Sequence, residues 1–411
     1  AGVKVRVLEA RDRVGGRVQT LRDPAFLCPV ELGAEFVHGR PPHLWHLLDE
    51  AGAKVRRHRD RHVVRIDGEL REESTVFDQV SEILVESGKA DLPFQHFLDD
   101  PRTRARWPKA ALKLAAMFVE GYYAAPLPRA GTAALRQMEQ ASTLVDALYL
   151  FRVTSGYDVL PRAMAERVDV RLKTPVEEID WSGPHVFLRT PGREPLRADR
   201  AIITVPLSIL ALRPGQPNAI HFAPGLPEKR TATTRLLTGD IVKLALRFDE
   251  PFWERVQRGF SFAHGVGLEV PTWWTPRPFD VPVLVGWSGG PLATALSKLD
   301  DSHIVARGLA SLGQLLGIPI GELERRLQMA VVRNWPKDPF ALGGYMVIPA
   351  GALDAVEQLA RPVGDKLFFA GEATSTTGFA GTVHGAIETG DRAAAEALHA
   401  MGRKPHFRVE V

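Results

Sequence analysis

Cysteine is nearly absent from this chain of 411 residues, because Cys28 is the one thiol present. A single cysteine cannot form an intramolecular disulfide, and it cannot supply a cluster of thiolate metal ligands. We therefore expect neither a disulfide-stabilised secreted fold nor a metal site. The same scarcity is typical of proteins in a reducing compartment, so the sequence favours a cytoplasmic location.

Long apolar runs and blocks of one charge are also missing. No run approaches the about 20 apolar residues that a membrane-spanning helix needs, and the first residues carry no signal-peptide pattern. The 52 Lys and Arg residues are interspersed with 49 Asp and Glu residues, which leaves a formal net charge of +3. Without a basic block, the sequence predicts no nucleic-acid surface. We expect small-molecule partners, no nucleic acid, no membrane, and a monomer or homodimer.

The chain does have the composition of a globular protein, with 45% hydrophobic and 25% charged residues, and it is long enough for two domains. Alternation of Val3, Val5 and Val7 with basic residues predicts a first strand. Further strands are predicted at 168–172, 177–181, 186–190, 201–205, 241–248, 283–287 and 366–370, and helices at 42–51, over most of 72–150, at 304–316 and at 382–401. This mixture predicts an α/β fold.

A candidate nucleotide site follows the first strand. Glu9 stands where that strand ends, and an acidic residue in that position can accept hydrogen bonds from ribose hydroxyls. In the next turn, Gly15 and Gly16 allow the backbone to approach a pyrophosphate, and Arg17 supplies positive charge. A glutamate at the end of a strand is more often simply solvated, so the turn carries most of this interpretation.

The second candidate segment lies near the other end of the chain. Gly371 and Glu372 follow the apolar strand predicted at 366–370, and Thr382 and Val383 begin the last predicted helix. The positive end of that helix can face an anionic group. The alternative is an ordinary glycine-rich helix start in an α/β protein.

Together, residues 7–17, 367–374 and 381–386 resemble the flavin-containing amine oxidases of the monoamine and polyamine oxidase type. The resemblance implies a discontinuous, Rossmann-like FAD-binding domain at 1–50, 155–206 and 360–400, a mixed-sheet and helical substrate domain at 51–154 and 207–359, and a tail at 402–411. It also implies contacts with FAD from Glu9, Arg11, Gly15, Gly16, Arg17, Gly33, Ala34, Glu35, Phe36, Val176, Trp335, Gly371, Glu372, Thr382 and Val383.

One part of the family pattern does not occur in this sequence. The family carries a G-x-G-x-x-G loop about 20 residues before its acidic residue, whereas eight residues precede Glu9. We expect the natural protein to begin upstream of Ala1, and we expect a chain without that loop to bind FAD more weakly.

The strand predicted at 241–248 carries the candidate catalytic residue. Its even-numbered positions are apolar, so Lys243, Ala245 and Arg247 share the other face. The simplest interpretation is a half-solvated strand. The resemblance implies instead that Lys243 is buried beside the flavin, where it holds a water near N5 and assists oxygen reduction.

The segment from Asn334 to Tyr345 resembles another family motif. Tyr345 then falls where an aromatic ring flanks the substrate amine, which it can attract by a cation–π interaction. In monoamine oxidases the preceding residue is a cysteine joined covalently to FAD. Here it is Gly344, so we predict non-covalent FAD.

Three further residues are implied at the substrate side. Thr382 stands where monoamine oxidases carry a second tyrosine, and Phe379 is expected to supply the other wall. His38 coincides with a histidine of the polyamine oxidase substrate channel, although a lone loop histidine is more often plain surface. This more open and polar site favours a polyamine or secondary amine over a compact arylalkyl amine.

The resulting hypothesis is an FAD-dependent amine oxidase with an amine and O2 as substrates. A hydride passes from the amine α-carbon to the flavin, the imine hydrolyses to an aldehyde, and O2 becomes hydrogen peroxide. One alternative is an L-amino-acid oxidase, although we identify no arginine for the substrate carboxylate. The other alternative is a non-catalytic flavin-fold protein that binds a partner.

Overall fold

The structure is a computed structural model that describes residues 2–59, 61–72 and 76–404. Its strands are β1 (Arg6–Leu8), β2 (Thr20–Leu21), β3 (Val30–Glu31), β4 (Phe36–His38), β5 (Val55–Arg57), β6 (His62–Ile66), β7 (Glu69–Glu72), β8 (Leu150–Val153), β9 (Asp169–Arg171), β10 (Glu178–Asp180), β11 (Val186–Arg189), β12 (Leu196–Ala198), β13 (Ala201–Ile203), β14 (His221–Ala223), β15 (Leu237–Gly239), β16 (Ile241–Phe248), β17 (Phe262–Gly265), β18 (Thr272–Trp274), β19 (Val283–Gly289), β20 (Leu327–Asn334), β21 (Tyr345–Val347) and β22 (Leu367–Phe369).

Its helices are α1 (Pro42–Glu50), α2 (Val76–Ser87), α3 (Phe94–Asp99), α4 (Pro101–Arg106), α5 (Lys109–Gly121), α6 (Thr132–Leu144), α7 (Val159–Ala165), α8 (Leu207–Leu210), α9 (Pro227–Arg235), α10 (Gly290–Leu296), α11 (Asp301–Leu316), α12 (Ile320–Arg326), α13 (Leu353–Ala360) and α14 (Val383–Ala400). Helices thus mix with several sheets, which confirms the predicted α/β class. Residues 405–411 of the predicted tail lie outside the described residues.

The largest sheet has seven strands in the order β20-β16-β19-β18-β17-β6-β7. One face of its strand β16 places Val242, Leu244 and Leu246 in the largest apolar core, where Leu312 and Leu315 of α11 also lie. Because side chains alternate along a strand, this packing turns Lys243 to the opposite face. That opposite face borders the cavity described below.

Each end of the chain contributes one strand to a parallel pair. Strand β1 pairs with β9, and β22 pairs with β13. The nucleotide-binding turns predicted after β1 and β22 therefore follow the carboxyl ends of parallel strands, as the resemblance implied. Strand β13 lies within the strand predicted at 201–205; its Ala201 and Ile203 are buried, whereas Ile202 is 42% exposed.

A three-stranded sheet in the order β4-β8-β5 crosses the predicted domain boundary near residue 50. Strand β8 pairs with β4 on one side and β5 on the other. The pairing fixes Phe36 and His38 on β4 at the cavity wall.

Helical spacing predicted for most of 72–150 is confirmed by α2 to α6. Their apolar faces form a second core that includes Ile83, Leu114, Val119 and Leu135. Strands β6, β17, β18 and β20 were not predicted from the pattern. In β20 the sequence Leu-Gln-Met-Ala-Val-Val-Arg-Asn lacks a regular alternation, and its pairing with β16 decides its conformation.

The described residues contain neither a clear membrane-spanning helix nor a metal-ligand cluster. No single helix there is long and apolar enough to cross a membrane, and the bent pair α11–α12, with a 118° break, meets that criterion only by length and composition. No group of three or more His, Cys, Asp or Glu side chains in the same residues could hold a metal ion.

Candidate active site

All of the site residues predicted from the sequence line one cavity of about 1730 Å³. Its lining includes Glu9, Arg11, Gly15, Gly16, Arg17, Gly33, Ala34, Glu35, Phe36, His38, Val176, Lys243, Trp335, Tyr345, Gly371, Glu372, Phe379, Thr382 and Val383. We call the wall formed by the turns after β1 and β22 and the start of α14 the terminal side. We call the wall formed by α2, α5, α6 and the residues directly after α5 and α6 the helical side.

The turn after β1 gives the terminal side an open backbone. Gly15 and Gly16 have φ angles of +96° and +54°, in the region that favours glycine. A Cβ atom at Gly16 would meet nothing within 4 Å, so this position faces open space. Just before it, the amide of Arg11 donates to Glu9 Oε1 at 2.8 Å, which orients the carboxylate.

A close backbone crossing holds this turn in place. A Cβ atom at Gly33 would lie 1.8 Å from the carbonyl oxygen of Arg17, so only glycine fits. The amide of Ala34 donates to the same carbonyl at 3.1 Å. Beside them, Trp335 Nε1 donates to the carbonyl of Leu32 at 3.0 Å. Gly33, Ala34 and Trp335 line the cavity next to the terminal side.

An ion pair ties the two ends of the chain together. Arg17 Nη1 lies 2.7 Å from Glu372 Oε1 and also donates to the carbonyl of Gly344 at 2.5 Å. The other oxygen of Glu372 accepts from the amide of Gly381 at 2.9 Å and from that of Met346 at 3.3 Å. The buried carboxylate therefore positions three segments of the wall.

Helix α14 begins at the cavity. The hydroxyl of Thr382 caps it by accepting from the amide of Gly385 at 2.9 Å, and it donates to the carbonyl of Phe379 at 2.7 Å. The face of α14 that borders the cavity carries the small residues Ala386 and Gly390. The positive helix end and its small side chains leave room for an anionic or electron-accepting group.

These features fit a flavin dinucleotide. The cavity is large and its glycine turn is open. The oriented carboxylate of Glu9, near the start of the chain, and the N-terminus of α14, near its end, both border the cavity. Val176 and Gly371 complete the same wall.

Lys243 lies at the centre of a buried charged network and is 2% exposed. Its ammonium donates to Glu35 Oε2 and, at 3.2 Å, to the carbonyl of Gly33. Glu35 Oε1 lies 2.5 Å from Arg152 Nη1 and accepts from Trp274 Nε1 at 2.8 Å. The half-solvated interpretation of this strand is therefore wrong. The carboxylate of Glu35, which the resemblance places at the cofactor, is engaged by these three side chains.

The network fixes the charge of its members. Burial alone would raise the pKa of Glu35, but the charges of Lys243 and Arg152 outweigh it and hold that pKa at about 2. Burial lowers the pKa of Lys243, and the charge of Glu35 opposes this shift. We interpret the arrangement as an ion pair with one surplus positive charge from Arg152.

Aromatic rings line the region in front of Lys243. The hydroxyl of Tyr345 donates to the carbonyl of Tyr122, and a Cβ atom at Gly381 would lie 3.3 Å from the Tyr345 ring. The His38 ring meets that of Tyr122 edge-on at 5.9 Å. His38 thus belongs to the cavity wall, and the plain-surface interpretation is wrong. Enclosure by the protein lowers its pKa to about 4, so it is neutral at pH 7.

Phe379 lies on the wall, but its ring contacts another histidine. Its centroid is 4.7 Å from that of His384, whose pKa is lowered to about 3 by burial and then by the charge of His38. Two neutral imidazoles therefore border the same region.

Sequence reasoning missed several residues of the cavity wall and one residue of the charged network behind it. Arg152 completes the Lys243 network, and Tyr122, Tyr123 and Glu139 line the helical side. The adjacent tyrosines directly after an amphipathic helix were the one available signal. Trp274 reaches Glu35 only because β18 and β4 approach in the folded chain.

Comparison with known proteins decides the family. A model of the flavin containing amine oxidoreductase family matches residues 1–398. This chain belongs to that family. Polyamine oxidase 4 of Oryza sativa subsp. japonica is 31% identical over 440 residues, which cover 96% of this chain and 84% of that protein. The flavin-containing amine oxidase B of Bos taurus is 28% identical over 456 residues, covering 100% and 84%.

Two solved structures of amine-oxidising enzymes share the fold. Wild-type putrescine oxidase bound to putrescine aligns with a TM-score of 0.78 and 23% identity, covering 97% of this chain and 94% of that one. Cyclohexylamine oxidase from Brevibacterium oxydans IH-35A gives 0.78 and 21%, covering 98% and 95%. Membership in the family confirms the predicted enzyme class, a flavin-dependent amine oxidoreductase that acts on amines.

Proposed function

We propose that this protein is an FAD-dependent amine oxidase with a preference for polyamines or secondary amines. When bound, FAD supplies hydride acceptance from the amine α-carbon and electron transfer to O2, which yields hydrogen peroxide and an imine that hydrolyses to an aldehyde. The observation that carries the proposal is a single cavity containing both an open glycine turn and a buried lysine behind an aromatic wall.

The terminal side offers FAD several polar groups. Glu9 would bind ribose hydroxyls, and the turn at Gly15 and Gly16 would lie against the pyrophosphate. The N-terminus of α14 at Val383 would face the pyrimidine edge of the flavin, where positive charge favours electron uptake.

Non-covalent attachment is supported by the position of the sole cysteine. Cys28 is buried in a small core with Phe26 and Leu32 and is not among the cavity residues. Burial raises the pKa of its thiol to about 11, which keeps it unreactive. A Cβ atom at Gly344 would lie 2.4 Å from Ile241 Cγ1, so a cysteine would not fit beside Tyr345.

The aromatic wall would bind the amine. Tyr345 and Tyr122 present ring surface that attracts an ammonium group before it is deprotonated. His38 is neutral at pH 7 and does not repel it. The polyamine oxidases of rice and the putrescine oxidase among the similar proteins support substrates with more than one amino group.

Lys243 would act when oxygen is reduced. The surplus positive charge of the Lys243, Glu35 and Arg152 network stabilises negative charge that develops on O2. Glu35 keeps the ammonium in a fixed position, so its electrostatic effect needs no reorganisation.

An amino-acid oxidase is less well supported. Such an enzyme needs an arginine for the substrate carboxylate, and the arginines in the described cavity wall are Arg11 and Arg17. Both lie on the terminal side and are already paired, with Asp338 and Glu372 respectively.

A substrate panel coupled to peroxide detection tests the proposal. The FAD-loaded protein should produce peroxide from spermidine and spermine faster than from benzylamine, and it should not act on L-amino acids. Acid precipitation should release all flavin into the supernatant. Peroxide from L-amino acids alone would favour the amino-acid oxidase, and flavin retained in the pellet would refute non-covalent binding.

A further inference from the structure

We propose that Glu139 selects substrates with a second amino group by binding the ammonium that lies furthest from the oxidised carbon. This inference rests on the proposed amine oxidation and adds the residue that recognises the rest of the substrate. The geometry of the helical side supports the inference, and no sequence motif marks that part of the chain.

Glu139 lies on α6 and borders the cavity. Its Oε1 accepts from the hydroxyl of Tyr123 at 2.6 Å, and its Oε2 accepts from the hydroxyl of Ser81 at 2.7 Å. A carboxylate has about four acceptor positions, so two hydroxyl donors leave about two for a ligand. The donors are neutral, and they orient the carboxylate without cancelling its charge.

Glu139 has no cationic partner among the residues that the structure describes. The cationic Lys and Arg side chains of the described cavity wall are Arg11, Arg17 and Lys243, and each is paired with a different carboxylate. A partly buried carboxylate without a cation is costly, because its charge is partly desolvated without compensation. A substrate ammonium would supply that compensation.

The charges of the cavity wall are segregated. In addition to Glu139, the helical side carries the exposed Asp78 on α2 and Asp146 after α6. No lysine or arginine accompanies them in the described part of that wall. Such a wall attracts polycations and disfavours anionic substrates.

An aromatic path joins this carboxylate to the predicted reaction centre. The hydroxyl of Tyr345 donates to the carbonyl of Tyr122, whose ring lies 5.1 Å from that of Tyr123. Tyr123 in turn donates to Glu139. A flexible aminoalkyl chain could pack along these rings, with one nitrogen at Tyr345 and the next at Glu139.

The test compares putrescine and spermidine with n-butylamine, which has the four-carbon chain of putrescine and lacks its second nitrogen. We expect Glu139→Gln to lower kcat/KM for the two polyamines by about 10-fold or more, chiefly through KM, and to change it for n-butylamine by less than about twofold. Glu139→Asp, which keeps the charge, should recover part of the loss. Glu82→Gln is the matched control, because Glu82 is exposed on α2 and does not border the cavity.

The outcomes separate this inference from the proposed function. Equal losses for n-butylamine and putrescine, or unchanged kinetics with both polyamines, would overturn the role of Glu139 while leaving amine oxidation intact. Failure of the flavin-loaded wild type to oxidise any amine would overturn both.

If Glu139→Gln does not retain flavin, Ser81→Ala is the variant to test, because it keeps the carboxylate and removes one orienting donor. It should raise KM for putrescine about threefold and leave n-butylamine unchanged.

Discussion

At the residue scale, we expect the buried ion pair of Lys243 and Glu35 to contribute both to folding stability and to oxygen reduction. Each side chain is almost fully enclosed, so the loss of one would leave the charge of the other without its nearest partner. Arg152 would remain beside Glu35, but Lys243 has no second carboxylate at hydrogen-bond distance in the described structure. A second substitution at Glu35 can therefore separate the effect of Lys243 on folding from its effect on oxygen reduction.

Replacement of Lys243 by Met should slow reoxidation of the reduced flavin about 10-fold, on the order of 1.4 kcal/mol of lost stabilisation. It should also lower the free energy of unfolding by about 3 kcal/mol, because Glu35 loses a buried cation. The double variant Lys243→Met with Glu35→Gln should recover part of the stability but not the reoxidation rate. Urea denaturation and stopped-flow reoxidation measure the two effects, and a wild-type reoxidation rate in the single variant would remove Lys243 from the mechanism.

His58 provides a pH-dependent contribution to stability. Its ring is 1% exposed and lies 5.2 Å from Phe36 and 5.1 Å from Phe262. Burial, followed by the charge of Arg152, lowers its pKa from 6.5 to about 4. Between these values the unfolded chain binds a proton that the folded protein does not bind. Stability from this group is therefore present above pH 6.5 and is lost as the pH falls towards 4.

We expect His58→Phe to flatten this dependence. The slope of unfolding free energy against pH should decrease by up to about 1.4 kcal/mol per pH unit between pH 6.5 and 4, because one titrating group is removed. Urea denaturation across that range measures it. His96→Gln, at an exposed position of α3, should leave the slope unchanged. Identical slopes for wild type and His58→Phe would show that His58 has the same pKa in the folded and the unfolded chain.

Individual side chains were predicted with uneven success. Glu9, Gly16 and Glu372 could be found because each belongs to a short contiguous motif next to a strand. The partners of Glu35 could not be found in this way, since Arg152 and Trp274 come from strands distant in sequence. Nothing local in the sequence shows that Glu35 pairs with Lys243.

At the scale of elements, a backbone crossing at Gly33 fixes the loop that follows β1. The carbonyl of Arg17 occupies the space that any larger side chain at residue 33 would need. Gly33→Ala should therefore displace the loop, lower the free energy of unfolding by about 3 kcal/mol and reduce flavin content. Calorimetry and flavin absorbance measure these effects.

Gly52→Ala is the matched control for this prediction. Gly52 also sits in a turn, but a Cβ atom there would meet nothing within 4 Å. Its φ of +63° makes alanine cost about 1 kcal/mol from backbone strain alone, and flavin should be retained. Equal flavin loss in both variants would show that the crossing at Gly33 is not what holds the loop.

Elements with strong patterns were predicted from sequence within a few residues. The prediction for 241–248 coincides with β16, and that for 382–401 is close to α14, which begins after the cap at Thr382. Strands β17 and β18 were missed because they are only four and three residues long, and β17 also depends on pairing with β6, which is distant in the sequence. The substrate helices were predicted, but their cavity-facing residues were not, because no motif marks them.

At the scale of the whole molecule, the cavity collects residues from nearly the full length of the chain. The terminal side depends on the two ends, joined by the ion pair of Arg17 and Glu372. The helical side depends on α2, α5 and α6. The separation of cofactor binding from substrate choice stays a prediction, as do the domain boundaries, the cytoplasmic location and the oligomeric state.

Anaerobic mixing of the FAD-loaded protein with spermidine tests the central claim most directly. Oxygen is excluded, so the flavin absorbance should fall as the amine is oxidised and should return when air is admitted, with formation of an equimolar amount of peroxide. The same protein mixed with an L-amino acid should keep its absorbance. An oxidised flavin spectrum that persists with spermidine, spermine, putrescine and benzylamine would contradict amine oxidation in this cavity.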